Sequence, residues 1–194
     1  MVLNNIATTI KNFIDKGKPA YLLLSGKILR YMEDDAIKLR PLRIFDGPFI
    51  NNELRNKDIL KACGLNKQIS KSWFLVWWWL KKTYVFLYCI EVDSKCIGFI
   101  GLYNLKLGKS AEMTLAILDK NMRRLGYGSK AFNIFAQNLQ RHSVIEKILI
   151  KVKTDNHSAL SFWRKVGFLE INTFDGLTTM SMDLNSYKEE YKIE

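Results

Sequence analysis

The stretch "KNMRRLGYGSKAF", residues 120–132, decides how the rest of the chain is interpreted. Its two glycines, Gly126 and Gly128, allow a tight turn and a close approach of another molecule to the backbone. A helical pattern begins just after them, and the start of a helix presents unpaired N–H groups and a partial positive charge. Together with Arg123 and Arg124, this arrangement suits a phosphate group. The alternative is a basic surface turn that caps an ordinary helix, and the turn alone does not decide between the two.

The composition describes a folded protein with a strong positive charge. The 194 residues suffice for one domain with some additions, and a hydrophobic content of 48% argues against disorder. The net charge of +11 favours anionic ligands or partners, such as nucleotide-like cofactors, nucleic acid or acidic membranes. The lysines are scattered, however, and no dense basic run with interleaved aromatic residues occurs, which argues against nucleic acid as a partner.

The sequence indicates neither a metal site nor a membrane segment. The three cysteines lack CxxC spacing and only two histidines could add ligands, so we expect no metal and no disulfide framework. The first residues are too polar for a secretory signal, and the most apolar run, "WFLVWWWL", is too short to span a bilayer. We therefore expect a reduced, cytoplasmic protein that does not bind membranes.

Hydrophobic periodicity predicts an α+β fold, with a mixed sheet and helices on both faces. The strands "YVFLYCIEV" and "CIGFIGLYNL" flank a turn as a hairpin, and "SAEMTLAIL" leads directly into the glycine turn. The other predicted strands are "AIKLRPLR", "EKILIKVK", "FLEINTF" and "TTMSMDL". The predicted helices are "DGPFINNELRNKDILKACG", "QISKSWFLVWWWLKKT", the amphipathic stretch after the glycine turn, and "HSALSFWRKV". We divide the chain into an N-terminal extension (1–35), a main domain (36–185) and a C-terminal tail (186–194).

Two motifs, in this order and on these elements, resemble the GNAT superfamily of N-acetyltransferases. The first is a strand followed by [Q/R]-x-x-G-x-[G/A] and a helix. The second is an Asn after the next strand, a short helix, and an aromatic-x-x-x-Gly-Phe ending. The residues that carry the motifs are Arg123-Arg124-Leu125-Gly126-Tyr127-Gly128, Asn156, Trp163 and Gly167-Phe168. The central hairpin, with Gly98 just after its turn, is a weaker match. The resemblance covers about residues 36–185 and implies a three-layer fold with a twisted, mostly antiparallel sheet.

The resemblance implies acetyl-CoA as a cosubstrate whose pyrophosphate is cradled by the glycine turn. The residues that it implies for this contact are Arg123, Arg124, Leu125, Gly126, Tyr127, Gly128 and Ser129. By position in the family, the backbone amide of Ala116 would bind the thioester oxygen and that of Leu118 would bind pantetheine. Asn156 either caps the short helix or contacts pantetheine. Many relatives have a glycine where Arg124 stands, and this departure bears on the path of the loop.

Acetyl transfer to an amine needs a base, and Glu112 is the one acidic residue inside "SAEMTLAIL". It precedes Gly126 by fourteen residues, a spacing that resembles the glutamate base of histone-type members of the family. A carboxylate on an apolar strand suits this role, because burial raises its pKa towards the working pH. The alternative is an edge or solvent-facing glutamate.

Aromatic residues raise two further points. Many family members have a tyrosine at the position of Trp163 that returns a proton to the departing sulfur, and an indole N–H has no useful acidity. Tyr127 and Tyr103 are the substitutes that the sequence offers.

In the family, the segment between the first two strands lines the acceptor pocket. Here Trp73 and Trp77 are the candidate acceptor-binding residues, with core packing as the alternative.

We predict direct transfer of an acetyl group from acetyl-CoA to a primary amine in a ternary complex. The acceptor would be a small molecule or a peptide: an amino sugar, free or nucleotide-linked, or a protein or peptide N-terminus. A non-catalytic acyl-CoA-binding regulatory module is the rival from another class, and Trp163 favours it. A nucleic-acid-binding protein is favoured by the net charge alone. A homodimer is compatible with the sequence.

Overall fold

A computed structural model describes residues 30–56, 59 and 86–187. In these ranges the chain forms eight strands, three α-helices and one short 3₁₀ helix. The strands are β1 Met32–Glu33, β2 Lys38–Pro41, β3 Phe86–Val92, β4 Lys95–Lys106, β5 Ser110–Ile117, β6 Lys147–Lys153, β7 Leu169–Phe174 and β8 Leu177–Asp183. The helices are α1 Asp46–Glu53, the 3₁₀ helix Lys120–Met122, α2 Tyr127–Arg141 and α3 His157–Lys165.

The eight strands form one sheet in the order β1-β2-β3-β4-β5-β6-β8-β7. Neighbouring strands are antiparallel except for β5 and β6, which run parallel. A parallel pair needs a crossover connection, and α2 supplies it here. The predicted mixed, mostly antiparallel sheet is thereby confirmed.

Helices cover both faces of this sheet because its central strands are apolar on both sides. In β3, Tyr88 and Ile90 join the larger hydrophobic cluster, which contains α2 and α3, whereas Leu87 and Cys89 join the smaller cluster beside α1. This alternation follows from the two-residue period of a strand. The predicted apolar stripe of α2 is fully buried in the larger cluster; its members are Ala131, Phe132, Phe135, Ala136 and Leu139. Burial of each large member stabilises the fold by about 1.5–3 kcal/mol.

Two tight turns fix the hairpins that the sequence predicts. Asp93 and Ser94 join β3 to β4 with φ angles of 48° and 62°, and Asp175 and Gly176 join β7 to β8 with φ angles of 49° and 70°. Two-residue turns with both φ angles positive match the twist of the flanking strands. Both hairpins therefore have the register that their turns demand.

Gly98 lies where β4 passes very close to the end of β5. A Cβ atom at this position would stand 2.1 Å from the carbonyl oxygen of Ala116. No side chain fits at that distance from a backbone atom, so only glycine allows the two strands to pair here. This close approach fixes the strand that leads into the glycine turn.

The ends of the described ranges show contacts beyond the predicted main domain. β1 belongs to the stretch that we predicted as an extension, and it pairs with β2. Tyr187 belongs to the predicted tail; it is buried against Phe132 and its hydroxyl lies 2.8 Å from Asn133 Oδ1. The rest of the extension and tail, and the predicted helix "QISKSWFLVWWWLKKT", lie outside the described residues. None of the helices in the described ranges is long and apolar enough to cross a membrane.

Candidate active site

A cleft opens where β5 and β6 separate. Their pairing ends with Glu112 opposite Leu149, although β5 continues to Ile117 and β6 to Lys153. The opening has a volume of about 320 Å³, and its walls include the separated parts of both strands and the start of α3. Backbone N–H groups on a strand edge without a neighbour are open to a ligand.

The glycine turn lies at one end of this cleft. Gly126 has φ 82° and α2 begins at the next residue, Tyr127. The first N–H groups of α2 lack intrahelical partners, and this helix end carries partial positive charge, so the turn is suited to an anion. A Cβ at Gly126 would meet nothing within 4 Å, which means that this position faces open space. At Gly128 a Cβ would instead make ordinary contact with Phe162, at 3.5 Å.

Arg124 keeps the left-handed backbone conformation that the turn requires, with φ 62°. A residue with a side chain adopts this conformation at a cost of about 1–2 kcal/mol, whereas glycine adopts it freely. The departure from the glycine of many relatives therefore leaves the local conformation left-handed. Arg124 and Leu125 are both exposed at the tip of the turn. Ser129, by contrast, is buried in the first turn of α2.

Arg123 connects the turn to the end of β5. Its Nε donates to the carbonyl oxygen of Ile117 over 2.9 Å, and its NH2 donates to that of Leu118 over 3.0 Å. These are charge-assisted hydrogen bonds to carbonyls that no strand pairs. The guanidinium therefore holds the strand end in place, a role that the sequence interpretation, which gave Arg123 to the phosphates, did not include.

The backbone N–H groups of Ala116 and Leu118, which we predicted to face the cosubstrate, point towards β4. The Leu118 N–H donates to the Ile97 carbonyl oxygen over 2.8 Å, and the Ala116 carbonyl points at Gly98 on β4. Since hydrogen-bonding direction alternates along a strand, the Ala116 amide also faces β4, and the amides of Leu115 and Ile117 face the cleft. The prediction that Leu118 offers a free amide does not hold here, because its N–H is already bonded within the sheet.

Glu112 lies at the vertex of the cleft, where the two strands separate. Asn104 Nδ2 donates to Glu112 Oε1 over 2.9 Å, and Lys151 Nζ lies 3.4 Å from each carboxylate oxygen. The Glu112 side chain is only 16% exposed, so it is not a solvent-facing glutamate. Lys151 and Tyr103, which both interact with it, line the cleft.

Sequence analysis missed the two polar partners of Glu112. Asn104 has φ 50° and sits where the β4–β5 pairing becomes irregular, between Tyr103 and Lys106. Such an irregularity bends a strand and redirects a side chain, which brings the Asn104 amide to the carboxylate. Lys151 comes from β6, and only the register of the parallel pair brings it near. Neither the strand irregularity at Asn104 nor the register that places Lys151 can be recognised as a motif in the sequence.

Tyr103 lies directly opposite Glu112 on β4. Burial, together with the neighbouring Glu112 carboxylate, raises the pKa of Tyr103 to about 12. A phenol with this pKa is a weaker acid than a thiol, whose pKa is about 8.5, so proton transfer to a thiolate would be uphill by about 5 kcal/mol. Tyr103 is therefore a poor substitute for the missing acid, although it can donate a hydrogen bond.

Two residues of the second motif line the cleft from α3. Asn156 caps the helix, because its Oδ1 accepts from the Ala159 N–H over 3.2 Å, and this leaves the amide nitrogen as the group that a ligand would meet. Trp163 is buried among Phe132, Phe162 and Phe168 while also lining the cleft. The indole thus occupies the position of the tyrosine that many relatives have.

The remaining predicted residues fall elsewhere. Trp73 and Trp77, the candidates for acceptor binding, lie outside the described residues. A group that the sequence did not predict lies away from the cleft: the side-chain oxygen or sulfur atoms of Asp46, Cys89 and Cys96 are within 4.8 Å of one another. Arg40 occupies both oxygens of Asp46, at 2.7 and 2.8 Å, so this group is a buried ion pair beside two thiols.

Comparison with known proteins agrees with this geometry. The model of the acetyltransferase (GNAT) family matches residues 55–168, which is more than half of the chain. An N-alpha-acetyltransferase of Sulfurisphaera tokodaii is 26% identical over 103 residues, which cover 47% of this chain and 61% of that protein. The alignment thus spans about three fifths of the length of that relative.

Solved structures show the same fold. A probable GNAT-family acetyltransferase from Chromobacterium violaceum superimposes with a TM-score of 0.69 at 14% identity, covering 80% of this chain and 87% of that one. Spermidine N-acetyltransferase from Vibrio cholerae, solved in complex with CoA and spermine, gives a TM-score of 0.67 at 18% identity, covering 78% and 98%. The sheet contains a parallel strand pair, β5 and β6, that separates next to the glycine turn, and this is the fold of the acetyltransferases just named. The family match is specific: the chain belongs to the GNAT acetyltransferase family.

Proposed function

We propose that this protein transfers the acetyl group of acetyl-CoA to a primary amine by direct attack in a ternary complex. The observation that carries the proposal is the cleft between β5 and β6, with the glycine turn at one end and Glu112 at the other. A phosphate-binding end and a carboxylate end, joined by a channel between strands, suit a long anionic thioester and an amine that meet in the middle.

The cosubstrate would be held at its pyrophosphate by the turn from Arg124 to Gly128. The N–H groups at the start of α2 would donate to the phosphate oxygens. The amide nitrogen of Asn156 would contact the pantetheine arm. Arg123 would act mainly by holding the end of β5 in place.

The thioester carbonyl would be polarised by amides of β5 that face the cleft. We infer that these are Leu115 and Ile117, because Ala116 and Leu118 direct their backbone groups to β4. Donors held ready for developing negative charge contribute a few kcal/mol each. Ile117→Pro removes the cleft-side N–H, and the folded variant should bind acetyl-CoA more weakly than Ile117→Ala does. Equal affinity of the two variants would show that the Ile117 N–H does not contribute to acetyl-CoA binding.

Glu112 would accept the proton that the amine loses. Deprotonating an ammonium with a pKa of about 10.4 costs about 4–5 kcal/mol at pH 7, so a nearby base has a large effect. The amine nitrogen then bonds to the carbonyl carbon, the C–S bond breaks, and the thiolate leaves with its electron pair. No Cys or His is among the described residues that line the cleft, which supports direct transfer without a covalent acetyl-enzyme.

Two kinds of acceptor are compatible with this site. The relative from Sulfurisphaera tokodaii is named as an N-alpha-acetyltransferase, which favours a protein or peptide N-terminus. The net charge of +11 favours an anionic acceptor such as a nucleotide-linked amino sugar. A non-catalytic acyl-CoA-binding module remains the second candidate, because Trp163 stands where an acid would be.

Thiol release from acetyl-CoA in the presence of a panel of primary amines tests the proposal. We expect release with at least one amine, and a fall in kcat of about 100-fold for Glu112→Gln near neutral pH. Glu146→Gln, an exposed glutamate before β6, is the matched control and should retain activity. Binding of acetyl-CoA without release for any amine would favour the non-catalytic module. Unchanged kcat in Glu112→Gln would remove Glu112 as the base.

A further inference from the structure

The side chains that line the cleft carry more positive than negative charge. Among the described residues that line it, three are cations, Arg123, Lys151 and Lys153, and none is a carboxylate; the carboxylate of Glu112 lies at the vertex, beside Lys151. Arg123 is bound to the carbonyl oxygens of Ile117 and Leu118. The two lysines of β6 are therefore the cations that a ligand would meet.

Lys151 and Lys153 lie on one face of β6. They alternate with Ile150 and Val152, which are buried on the other face, so the two lysines are about 6.5–7 Å apart along the strand. Lys153 lies towards the start of α3, the end at which the cosubstrate phosphates would bind. Lys151 lies at the opposite end, beside Glu112, and a cosubstrate phosphate does not account for its position.

The contact between Lys151 and Glu112 is long and open to solvent. The ammonium lies 3.4 Å from both carboxylate oxygens, and half of the Lys151 side chain is exposed. Exposed pairs of this kind contribute little stability, so Lys151 exchanges partners readily. Glu112 retains the hydrogen bond from Asn104 when Lys151 moves away.

An amine that approaches Glu112 as an ammonium ion meets this second ammonium. Like charges brought together oppose binding, and complementary charges favour it. An acceptor that carries an anionic group offers Lys151 a new partner and leaves Glu112 to the amine. A polyamine offers none, and its further positive charges are repelled.

We propose that Lys151 selects primary amines that carry a carboxylate or a phosphate close to the amine, and that it disfavours polyamines. This inference rests on the proposed acetyl transfer. The anionic group has two sources: an acidic residue at the second position of a peptide, or a phosphate on an amino sugar. Both present the same charge to Lys151.

Matched acceptor pairs test the inference and separate the two sources. One pair is a tripeptide with Asp or with Lys at its second position, and the other is an amino sugar with or without a phosphate ester. Spermidine represents the polyamines. We expect kcat/KM to be about tenfold higher or more for the anionic member of at least one pair, and to be low for spermidine.

Charge reversal at Lys151 provides the decisive variant. Lys151→Glu should invert the preference between the members of a pair, without a matching change in the KM for acetyl-CoA. A general structural disturbance would move both quantities. Lys147→Glu is the control, because Lys147 lies on the same strand but opposite Ser110, before the cleft opens.

The outcomes distinguish this inference from the proposed function. Preference for anionic acceptors that inverts in Lys151→Glu and persists in Lys147→Glu supports the inference. Turnover with no charge preference, or a preference that Lys151→Glu leaves unchanged, overturns it while the proposed acetyl transfer stands. Absence of turnover with every amine overturns both.

Discussion

Arg123 Nε donates to the carbonyl oxygen of Ile117 over 2.9 Å, and so joins the glycine turn to the strand that forms one wall of the cleft. The same side chain also reaches the carbonyl of Leu118. Anything that disturbs the turn therefore also disturbs the strand end. If the turn binds the cosubstrate as proposed, we expect Arg123 to influence both cosubstrate binding and fold stability.

Substitution of Arg123 by Lys tests this coupling. A lysine keeps the charge but has no planar fork that can donate to two carbonyls at once. Hydrogen bonds to a charged group contribute about 1.5–3 kcal/mol each, so we expect a loss of about 2 kcal/mol in the free energy of unfolding, together with weaker acetyl-CoA binding. Urea denaturation and calorimetric titration measure the two effects. A variant with unchanged stability and weaker binding would mean that the Arg123 guanidinium serves the phosphates directly and does not hold the strand end in place.

Gly98→Ala should destabilise the fold strongly. The added Cβ would stand 2.1 Å from the Ala116 carbonyl oxygen, so β4 and β5 must move apart. We expect a loss of about 3 kcal/mol or more in the free energy of unfolding. Gly108→Ala is the control: its φ is 64° and its Cβ would meet nothing within 4 Å, so it should cost about 1–2 kcal/mol through backbone strain alone. Equal losses in urea denaturation would contradict the close approach at Gly98.

The phenol of Tyr103 should give stability a measurable pH dependence. Its pKa is raised from 10 to about 12 in the folded protein, so its neutral form is favoured there. The contribution is fully present below pH 10 and is lost as the pH rises towards 12. After allowance for solvent screening it amounts to at most about 2 kcal/mol. The difference in unfolding free energy between wild type and Tyr103→Phe should therefore change between pH 10 and 12, and a constant difference would reject the raised pKa.

Trp163→Tyr should restore an acid near the leaving sulfur. Trp163 lines the cleft and is 6% exposed, so a phenol in its place lies beside the channel. Trp163→Phe loses similar volume without gaining a hydroxyl, and the comparison isolates that group. We expect kcat to be about tenfold higher for the tyrosine variant than for the phenylalanine variant. Equal kcat values would show that water alone suffices to protonate the thiolate.

Local patterns predicted most of the fold because each element carries its own signal. The stripe from Ala131 to Leu139 has helical spacing, and the alternation in β6 has the period of a strand; both were buried as expected. The turn from Arg123 to Gly128 was found because its glycines and the following helix are contiguous in sequence. Such signals need no knowledge of distant partners.

The details of the candidate site depend on long-range register, which no local pattern carries. Whether the Leu118 amide faces the cleft is decided by its bond to Ile97, some twenty residues earlier in the chain. The partners of Glu112 come from an irregular part of β4 and from a parallel strand that follows a helix. The family resemblance implied that the amides of Ala116 and Leu118 bind the cosubstrate. The direction of each amide, however, is set by strand pairing in this chain.

Calorimetric titration with acetyl-CoA tests the central claim, that the glycine turn and the opened strands bind this cosubstrate. The wild-type protein should bind with a Kd on the order of micromolar. Gly126→Val, whose side chain would enter the open space of the turn with φ 82°, should lose at least about tenfold in affinity. Gly128→Ala, whose methyl group would rest against Phe162, should bind nearly as well as wild type. No binding by the wild type, or equal binding by folded Gly126→Val, would contradict the account.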